Sequence, residues 1–366
     1  MFSFFSEYRT VQKIISSHYH LIFYAESRYY FQYFQQLFEE LAGMAKYKIC
    51  YLTSDKNDPV LNDKRVEAWY IKNTVAGIFP RLRADVMIMT MPDLQNFIFK
   101  KSASVKKYIY VFHALVSTHQ QYRAHAFDNY DTIFCTGPQQ VQEIREGEKI
   151  YSLPAKELIH YGYPLLETLR KKVQANKIQL HKILVAPSWY KKGILNTCIL
   201  PLVEALGKTN YEIWIRPHPE FIKRNKKQYE QLTKLAAKSG KIFFDTGSYV
   251  FTHLKDAAHL ITDRSGIAFE YAFATGRPVL FIDTALKIQN SELEKFTLSP
   301  LENIYRGEIG MCLQQDEVSL AEKALSELKQ SLESWESFIR KTEKDIVFSS
   351  ACWSNGIEYI RNQLTF

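Results

Sequence analysis

Polar residues recur in this chain where an apolar run stops and a helical pattern begins. In "ITDRSGIAFEYAFATGRPVLFID" (261–283), Asp263, Arg264, Ser265 and Gly266 stand between a strand-like run and a helix. Ser265 is placed to cap that helix, and the first-turn amides would be free to hold a phosphate. Gly266 permits close backbone approach, and Arg264 adds charge. Glu270, about one helical turn later, has the chemistry to accept hydrogen bonds from ribose hydroxyls. A plain helix cap with a surface glutamate fits the same residues, and spacing favours neither reading.

"WIRPHPEF" (214–221) ends a second apolar run. Two prolines stiffen the loop around His218, so little entropy remains to be lost when the imidazole binds. Protonated, His218 suits a phosphate; neutral, it can move a proton. Arg216 is a further phosphate partner. "YVFHALVSTHQQYRAH" (110–125) puts His113 at the end of a third run, in the other half of the chain. If the halves face each other, His113 and His218 share a cleft, and His113 is a candidate base for an acceptor hydroxyl. His119 and His125 follow no run and read as surface or structural residues. "VAPSWYKKG" (185–193) offers Ser188, Lys191 and Lys192 to phosphate or base, whereas "KRNKK" (223–227) reads as a solvated face.

These residues need a scaffold that brings strand ends together. Strand-like runs at 19–25, 47–53, 85–90, 107–113, 131–137 and 157–164 alternate with helical patterns, among them 29–45, where Phe34, Leu37, Phe38 and Leu41 share one face. Further runs at 182–188, 211–219, 241–245, 259–263 and 278–283 repeat the alternation, and no clear strand is read between Asp283 and Glu317. Such alternation predicts parallel sheets with right-handed crossovers. The expected fold is α/β: two Rossmann-like, doubly wound domains facing a cleft, with a C-terminal helical segment. The expected domains are 1–172 for the acceptor, 173–330 for the nucleotide donor, and helices at 331–366 packing back on the first. Ligands of such folds lie beyond the carboxyl ends of strands, between domains.

Composition narrows the partners. The 366 residues are too many for one core, and the net charge of +8 suits acidic ligands. No zinc-finger or RNA-recognition spacing is present, so no nucleic acid is expected. Five scattered cysteines suit a reducing cytoplasm and argue against disulfides and zinc. No metal constellation, P-loop, GxGxxG or GxSxG motif occurs, and neither metal nor cofactor is expected. No secretory signal and no run of about 18 apolar residues is found. Phe4, Tyr8, Val11 and Ile15 form a helical stripe that could face a membrane surface, although packing on the protein is the favoured reading.

Taken in order, the motifs resemble the CDP-glycerol:poly(glycerophosphate) glycerophosphotransferases, the teichoic-acid primase and polymerase family, over roughly 107–283. The family's His-Gly strand end is similar to His113-Ala114, its TGxP turn to "YGYP" (161–164) and its APTWR loop to "APSWY" (186–190). Its His-Pro loop matches His218-Pro219, its TDYSS turn "TDRSG" with Glu270-Tyr271, and its later Arg-Pro matches Arg277-Pro278. Ala114, Tyr190 and Arg264-Ser265-Gly266 depart from the pattern close to the expected ligand.

The resemblance implies a GT-B-type fold and transfer of glycerol phosphate or ribitol phosphate from a CDP-activated donor. The acceptor would be a hydroxyl of a cell-surface glycan, capsule or teichoic-acid-like polymer, and CMP would be released. It implies His113 and His218 as catalytic residues, with Ser265 and Glu270 where the donor phosphates and ribose would bind; the reading of the strand ends adds Ser188, Arg216, Asp263, Arg264 and Gly266 around the donor. It further implies a cytoplasmic protein, with lipid-linked acceptors and a peripheral place at the inner membrane face. A GT-B glycosyltransferase using a nucleotide-sugar, or a non-catalytic binder of anionic surfaces, are the competing readings.

Overall fold

A computed structural model describes residues 2–175, 180–247 and 251–364, with side chains from Arg9 onwards except at 219, 220 and 251. Two parallel sheets organise it. The first contains β1 (Tyr19–Ala25), β2 (Ile49–Thr53), β3 (Glu67–Tyr70), β4 (Ala84–Met89), β5 (Val105–Val111), β6 (Thr132–Cys135) and β7 (Glu157–His160). The second contains β8 (Lys182–Val185), β9 (Glu212–Ile215), β10 (Ile242–Phe244), β11 (Ala257–Thr262), β12 (Val279–Asp283) and β13 (Gly310–Gln314). Their orders are 3-2-1-4-5-6-7 and 10-9-8-11-12-13, so the same winding occurs twice. The α/β fold of two doubly wound halves is therefore borne out.

The strands form where apolar residues run without alternation, as expected of a sheet covered on both faces. β2 and β4 are buried along their whole length. The order reverses between β1 and β4 and again between β8 and β11, and at such a reversal the strand ends part to leave a crevice. The loops beyond Ala25, Met89, Val185 and Thr262 thus become the places to look.

Three expectations need correction. β13 and the helix Leu301–Ile309 occupy the stretch read as lacking a strand. β13 pairs along the edge of the second sheet and Cys312 is exposed, so the apolar signal is weak. The helix expected over 29–45 is two pieces, Arg28–Phe31 and Gln35–Gly43. Phe34, Leu37, Phe38 and Leu41 do lie in the core, but the first piece turns its tyrosines elsewhere. The C-terminal segment divides. Leu332–Ile346 packs mainly against the helices Leu301–Ile309 and Ile267–Thr275 of the second half and touches the first at the helix Pro138–Ile150, while Trp353–Gln363 lies wholly on the first, beside β7 and the helix Gln35–Gly43.

The crossing back depends on one clearance. A Cβ on Gly137 would stand 1.6 Å from the Ile346 carbonyl oxygen, and next to it the Phe348 amide donates to the Thr136 carbonyl at 2.9 Å. Pro138 opens the following helix at a position where a missing N–H costs nothing. In the N-terminal stripe, Val11 and Ile15 pack against the first core, while the Phe4 and Tyr8 side chains lie outside those described.

Candidate functional site in the cleft

His113 lies two residues beyond β5 and is half-buried. Tyr30, Tyr33 and Tyr122 surround its ring edge-on, at centroid distances of 5.4, 6.0 and 6.0 Å. Its Nδ1 is 3.0 Å from the Thr90 carbonyl oxygen at the end of β4. A carbonyl only accepts, so Nδ1 carries the proton and Nε2 keeps its lone pair. Burial pushes the imidazole down to about 4, with the Lys287 charge adding to the effect and the Thr90 hydrogen bond opposing it. His113 is therefore a neutral ring in one fixed tautomer, the form a general base requires.

Across from it, the turn after β11 is built around Asp263, which is fully buried. The Ser188 and Arg264 amides donate to its Oδ1, both at 2.7 Å, and the Ile194 amide donates to Oδ2 at 3.2 Å. The expectation that Asp263 touches the donor is corrected: its carboxylate has no face on the cleft. It clamps the loop after β8 to the loop after β11, across the reversal of the sheet. Ser188 is consequently held beside Asp263, with its Oγ buried.

Arg264 also departs from expectation. It is buried and turns sideways, donating from Nη2 to Asp283 Oδ1 at 2.6 Å and to the Thr284 carbonyl at 3.0 Å. Arg306, unremarked in the sequence, donates to the same Asp283 oxygen at 2.9 Å. Gly266 has an ordinary φ of −61°, and its lack of a side chain serves clearance. A Cβ there would stand 2.8 Å from Val116 Cγ1 and 3.1 Å from the Leu115 carbonyl oxygen, both in the first half. Gly266 thus lets the two halves meet.

Ser265 does not cap its helix; the first position is Gly266, without a side-chain cap bond. The hydroxyl is half-exposed, and among the described residues neither it nor the amides of Ser265, Gly266 and Ile267 has a hydrogen-bond partner. Free amides opening a nine-residue helix make a positive pole that attracts an anion.

The loop after β9 completes the wall. Arg216 donates to Asp245 Oδ2 at 2.6 Å and to the Gly247 carbonyl at 3.1 Å, so two of its donors are committed within the second half. His218 is exposed and stacks on Trp189, whose other neighbour is the Arg224 guanidinium, 5.3 Å from the ring centre. Glu270 lies on the helix that begins at the free amides. Burial raises its carboxyl to about 7, against the opposing influence of the Tyr163 hydroxyl, which donates to Oε1 at 2.6 Å, and of the Arg216 charge.

The structure links His113 through Tyr33 and Tyr163 to Glu270, on the helix that Ser265 precedes, holds Ser188 beside Asp263, and turns Asp263, Arg264 and Gly266 to the support of the turn. Sequence reasoning missed the tyrosines. Tyr29 and Tyr33 are joined hydroxyl to hydroxyl at 3.0 Å, and both feel the Glu270 charge. Tyr33 meets Tyr163 at 6.2 Å between ring centres. Their apolar helical spacing looks like core, and only their position just past β1 could have flagged them.

A half-buried neutral histidine after β5 and a helix opened by amides without a described partner after β11, on two doubly wound halves, are what the likeness to known proteins bears on. The family described as CDP-glycerol:poly(glycerophosphate) glycerophosphotransferase matches residues 7–310. The chain belongs to this family.

Among solved structures it is similar to the wall teichoic acid polymerase TagF, with a TM-score of 0.61 and 13% identity over 94% of this chain and 89% of that one. A TagF variant soaked with CDPG gives 0.60 and 15% over 94% and 88%. The UDP-GlcNAc 2-epimerase of Methanocaldococcus jannaschii gives 0.54 and 11% over 93% and 98%. At these identities the likeness speaks for the fold. None of the curated proteins matches the chain.

Proposed function

We propose that this glycerophosphotransferase-family enzyme moves glycerol phosphate or ribitol phosphate from a CDP-activated donor to a hydroxyl of a cell-surface glycan, capsule or teichoic-acid-like acceptor. The acceptor oxygen attacks the phosphorus that bears the polyol, the bond from that phosphorus to the bridging oxygen breaks, and CMP leaves with the bridging oxygen. The acceptor proton passes to Nε2 of His113. The free amides of Ser265, Gly266 and Ile267, with the Ser265 and Ser188 hydroxyls, hold the diphosphate, and His218 offsets charge on the leaving phosphate. Glu270, steadied by Tyr163, accepts from the ribose. Such a transfer depends on positioning and charge neutralisation more than on covalent help.

The neutral His113 ring, with Nε2 unprotonated at the cleft, carries this reading. The products test it. Phosphoryl transfer leaves a nucleoside monophosphate, whereas glycosyl transfer leaves a diphosphate. CMP is expected from CDP-glycerol or CDP-ribitol with a polyol-phosphate acceptor, and release of a nucleoside diphosphate from a nucleotide-sugar alone would overturn the assignment.

Contact with an anionic membrane surface belongs to the same reading, because it would bring lipid-linked acceptors to the cleft. No described helix is long and apolar enough to cross a membrane. The loop after β4 supports a surface contact: Phe97 and Ile98 are 55% and 64% exposed side by side, and Lys100 and Lys101 follow them. Aromatic and aliphatic tips beside lysines suit the headgroup boundary. Flotation with phosphatidylglycerol vesicles, but not with phosphatidylcholine vesicles, is expected, with loss in Phe97→Ser/Ile98→Ser. Equal flotation of the variant would remove this surface from the account.

A further inference from the structure

Between β12 and the helix Leu301–Ile309 the chain leaves the second half and lies along the first. The Gln289 amide donates to the Gln120 carbonyl at 2.9 Å. The Thr297 and Leu298 amides donate to the Glu146 carboxylate at 2.7 and 3.3 Å, and Gln139 Nε2 donates to the Ser299 carbonyl at 3.1 Å. The Leu301 amide donates to Ser117 Oγ at 2.5 Å, and the Ser117 amide donates back to Glu302 Oε1 at 3.2 Å. The segment 289–302 is thus tied to the other half at both ends and near its middle. Its footing is close to the candidate site, because Leu115 and Val116, which face Gly266, stand between His113 and Ser117 in the chain.

His119 sits at the centre of this seam. It is buried, and its ring stacks on Phe296 with centroids 5.1 Å apart. Nε2 is 2.9 Å from the Leu298 carbonyl oxygen, which only accepts, so Nε2 carries a proton. Nδ1 is buried without a hydrogen bond to any described residue and stands 3.3 Å from Glu143 Oε1. Glu143 is itself an anion. The Thr118 amide and hydroxyl donate to its Oε2 at 2.6 and 2.7 Å, and Gln139 Nε2 donates to Oε1 at 2.9 Å. A bare Nδ1 would turn its lone pair on this buried carboxylate, whereas a protonated one supplies the opposite charge. The geometry calls for an imidazolium.

Two more carboxyls act on the ring: Glu146, and Glu302, whose Oε2 is buried without a hydrogen bond. The other charged residues around the adjoining cavity are engaged elsewhere. His125 pairs with Asp128 at 2.7 Å, Arg123 with Asp93 at 3.2 Å and Glu148 with Arg145 at 2.7 Å, while Lys156 Nζ donates to the Asp128 carbonyl at 2.7 Å. Burial alone would push the His119 imidazole down; Glu143, the Leu298 carbonyl and the Glu302 charge outweigh it and raise the group above its ordinary value. A raised imidazole contributes its stabilisation in full below the ordinary value of about 6.5 and loses it as the pH climbs through the higher native one.

We propose that His119, Glu143 and the segment 289–302 form a proton-dependent latch, in which the imidazolium holds the two halves together behind the His113 loop and its deprotonation lets them part. Loss of the proton sets a lone pair against Glu143, loosens the ring between Phe296 and the Leu298 carbonyl, and frees the segment from the helix Pro138–Ile150. Leu115 and Val116 then lose their hold on the turn at Gly266. No substrate enters the latch, so it stands whatever group the enzyme transfers.

Hydrogen exchange of the wild-type chain at about pH 6 and about pH 8.5, each rate divided by the intrinsic rate at that pH, reads the latch directly. Peptides holding Thr297, Leu298 and Leu301 are expected to lose protection about tenfold or more at the higher pH, and the 113–118 peptide to follow, while β8 and β11 keep theirs. His119→Gln retains an N–H for the Leu298 carbonyl but has no charge, so its protection should be low and equal at both pH values. Glu143→Gln, which removes the charge that the imidazolium answers, should flatten the dependence as well. Exchange of the His119 ring C2 hydrogen, followed by mass spectrometry, gives its titration without any substitution and should place it above the ordinary imidazole value. Equal wild-type protection at both pH values, a fall that persists in His119→Gln, or a His119 that is neutral at about pH 6 overturns the proposal. A loss confined to 297–301, with 113–118 unchanged, overturns the parting of the halves.

Discussion

Replacing His113 by alanine is expected to lower kcat for polyol-phosphate transfer by about 10²–10⁴, with donor KM changed only a few-fold. The ring is placed to accept a proton, not to bind the nucleotide. Nδ1 is fixed on the Thr90 carbonyl and three tyrosines wall the ring, so Nε2 is the group that the substitution removes. Stability should suffer less than activity, because no hydrogen bond of the sheet runs through the side chain. Steady-state kinetics together with a thermal melt check this. Retention of more than about a tenth of wild-type kcat would exclude His113 as the base.

The pH profile sharpens the same expectation. His113 titrates near 4, so between pH 5 and 8 it stays neutral and contributes no acid limb. Glu270 titrates near 7, raised by burial. Its charged form is the ribose acceptor and is lost as the pH falls through that value. Donor KM is therefore expected to climb below about pH 7, and the climb should vanish in Glu270→Gln. An acid limb in kcat that persists in Glu270→Gln would instead point to His113 being protonated in the complex.

The two histidines illustrate what the sequence can carry. Each follows an apolar run in a chain of alternating elements, and strand ends are where such folds gather their ligands. That logic singles out His113, His218 and Ser188 as candidates without any knowledge of packing, and Glu270 follows from its place one helical turn after Ser265. It fails where function depends on which way a side chain turns. Asp263 and Arg264 stand at the same strand end as Ser265, yet one faces backbone amides and the other faces Asp283. Spacing along a chain contains no term for that choice. Tyr29, Tyr30 and Tyr33 mislead for a related reason. They share a helical period with Phe34, Leu37 and Phe38, and the break between Phe31 and Gln35 that swings them to the cleft has no glycine or proline to announce it. β3 and β13 escape because they are sheet edges whose half-exposed residues lack the unbroken apolar run of central strands. Glu270 is legible as a position, but its titration near neutrality arises from burial under Tyr163, which is remote in sequence.

Asp263 should therefore reveal itself in stability before activity. Asp263→Ala would leave the amides of Ser188, Ile194 and Arg264 without their acceptor in a site closed to water. A hydrogen bond to a charged group contributes about 1.5–3 kcal/mol, and a buried unsatisfied donor costs about 1–3 kcal/mol. Relief of the desolvated carboxylate offsets part of this, so a net loss of roughly 3–5 kcal/mol is expected. In a unit of this size, each kcal/mol lowers the melting temperature by about 2–4 °C. Asp263→Asn keeps one acceptor oxygen and should lose about half as much. The activity loss should follow a particular path. Once the clamp between the loops after β8 and β11 is gone, Ser188 and the free amides no longer share one geometry, and donor KM should rise in the folded fraction. A donor-contact role for Asp263 predicts the reverse order, with a large KM effect and a nearly unchanged melt. Thermal denaturation and KM measured on the same Asp263→Ala preparation distinguish the two, and a melting temperature within about 2 °C of wild type would refute the clamp.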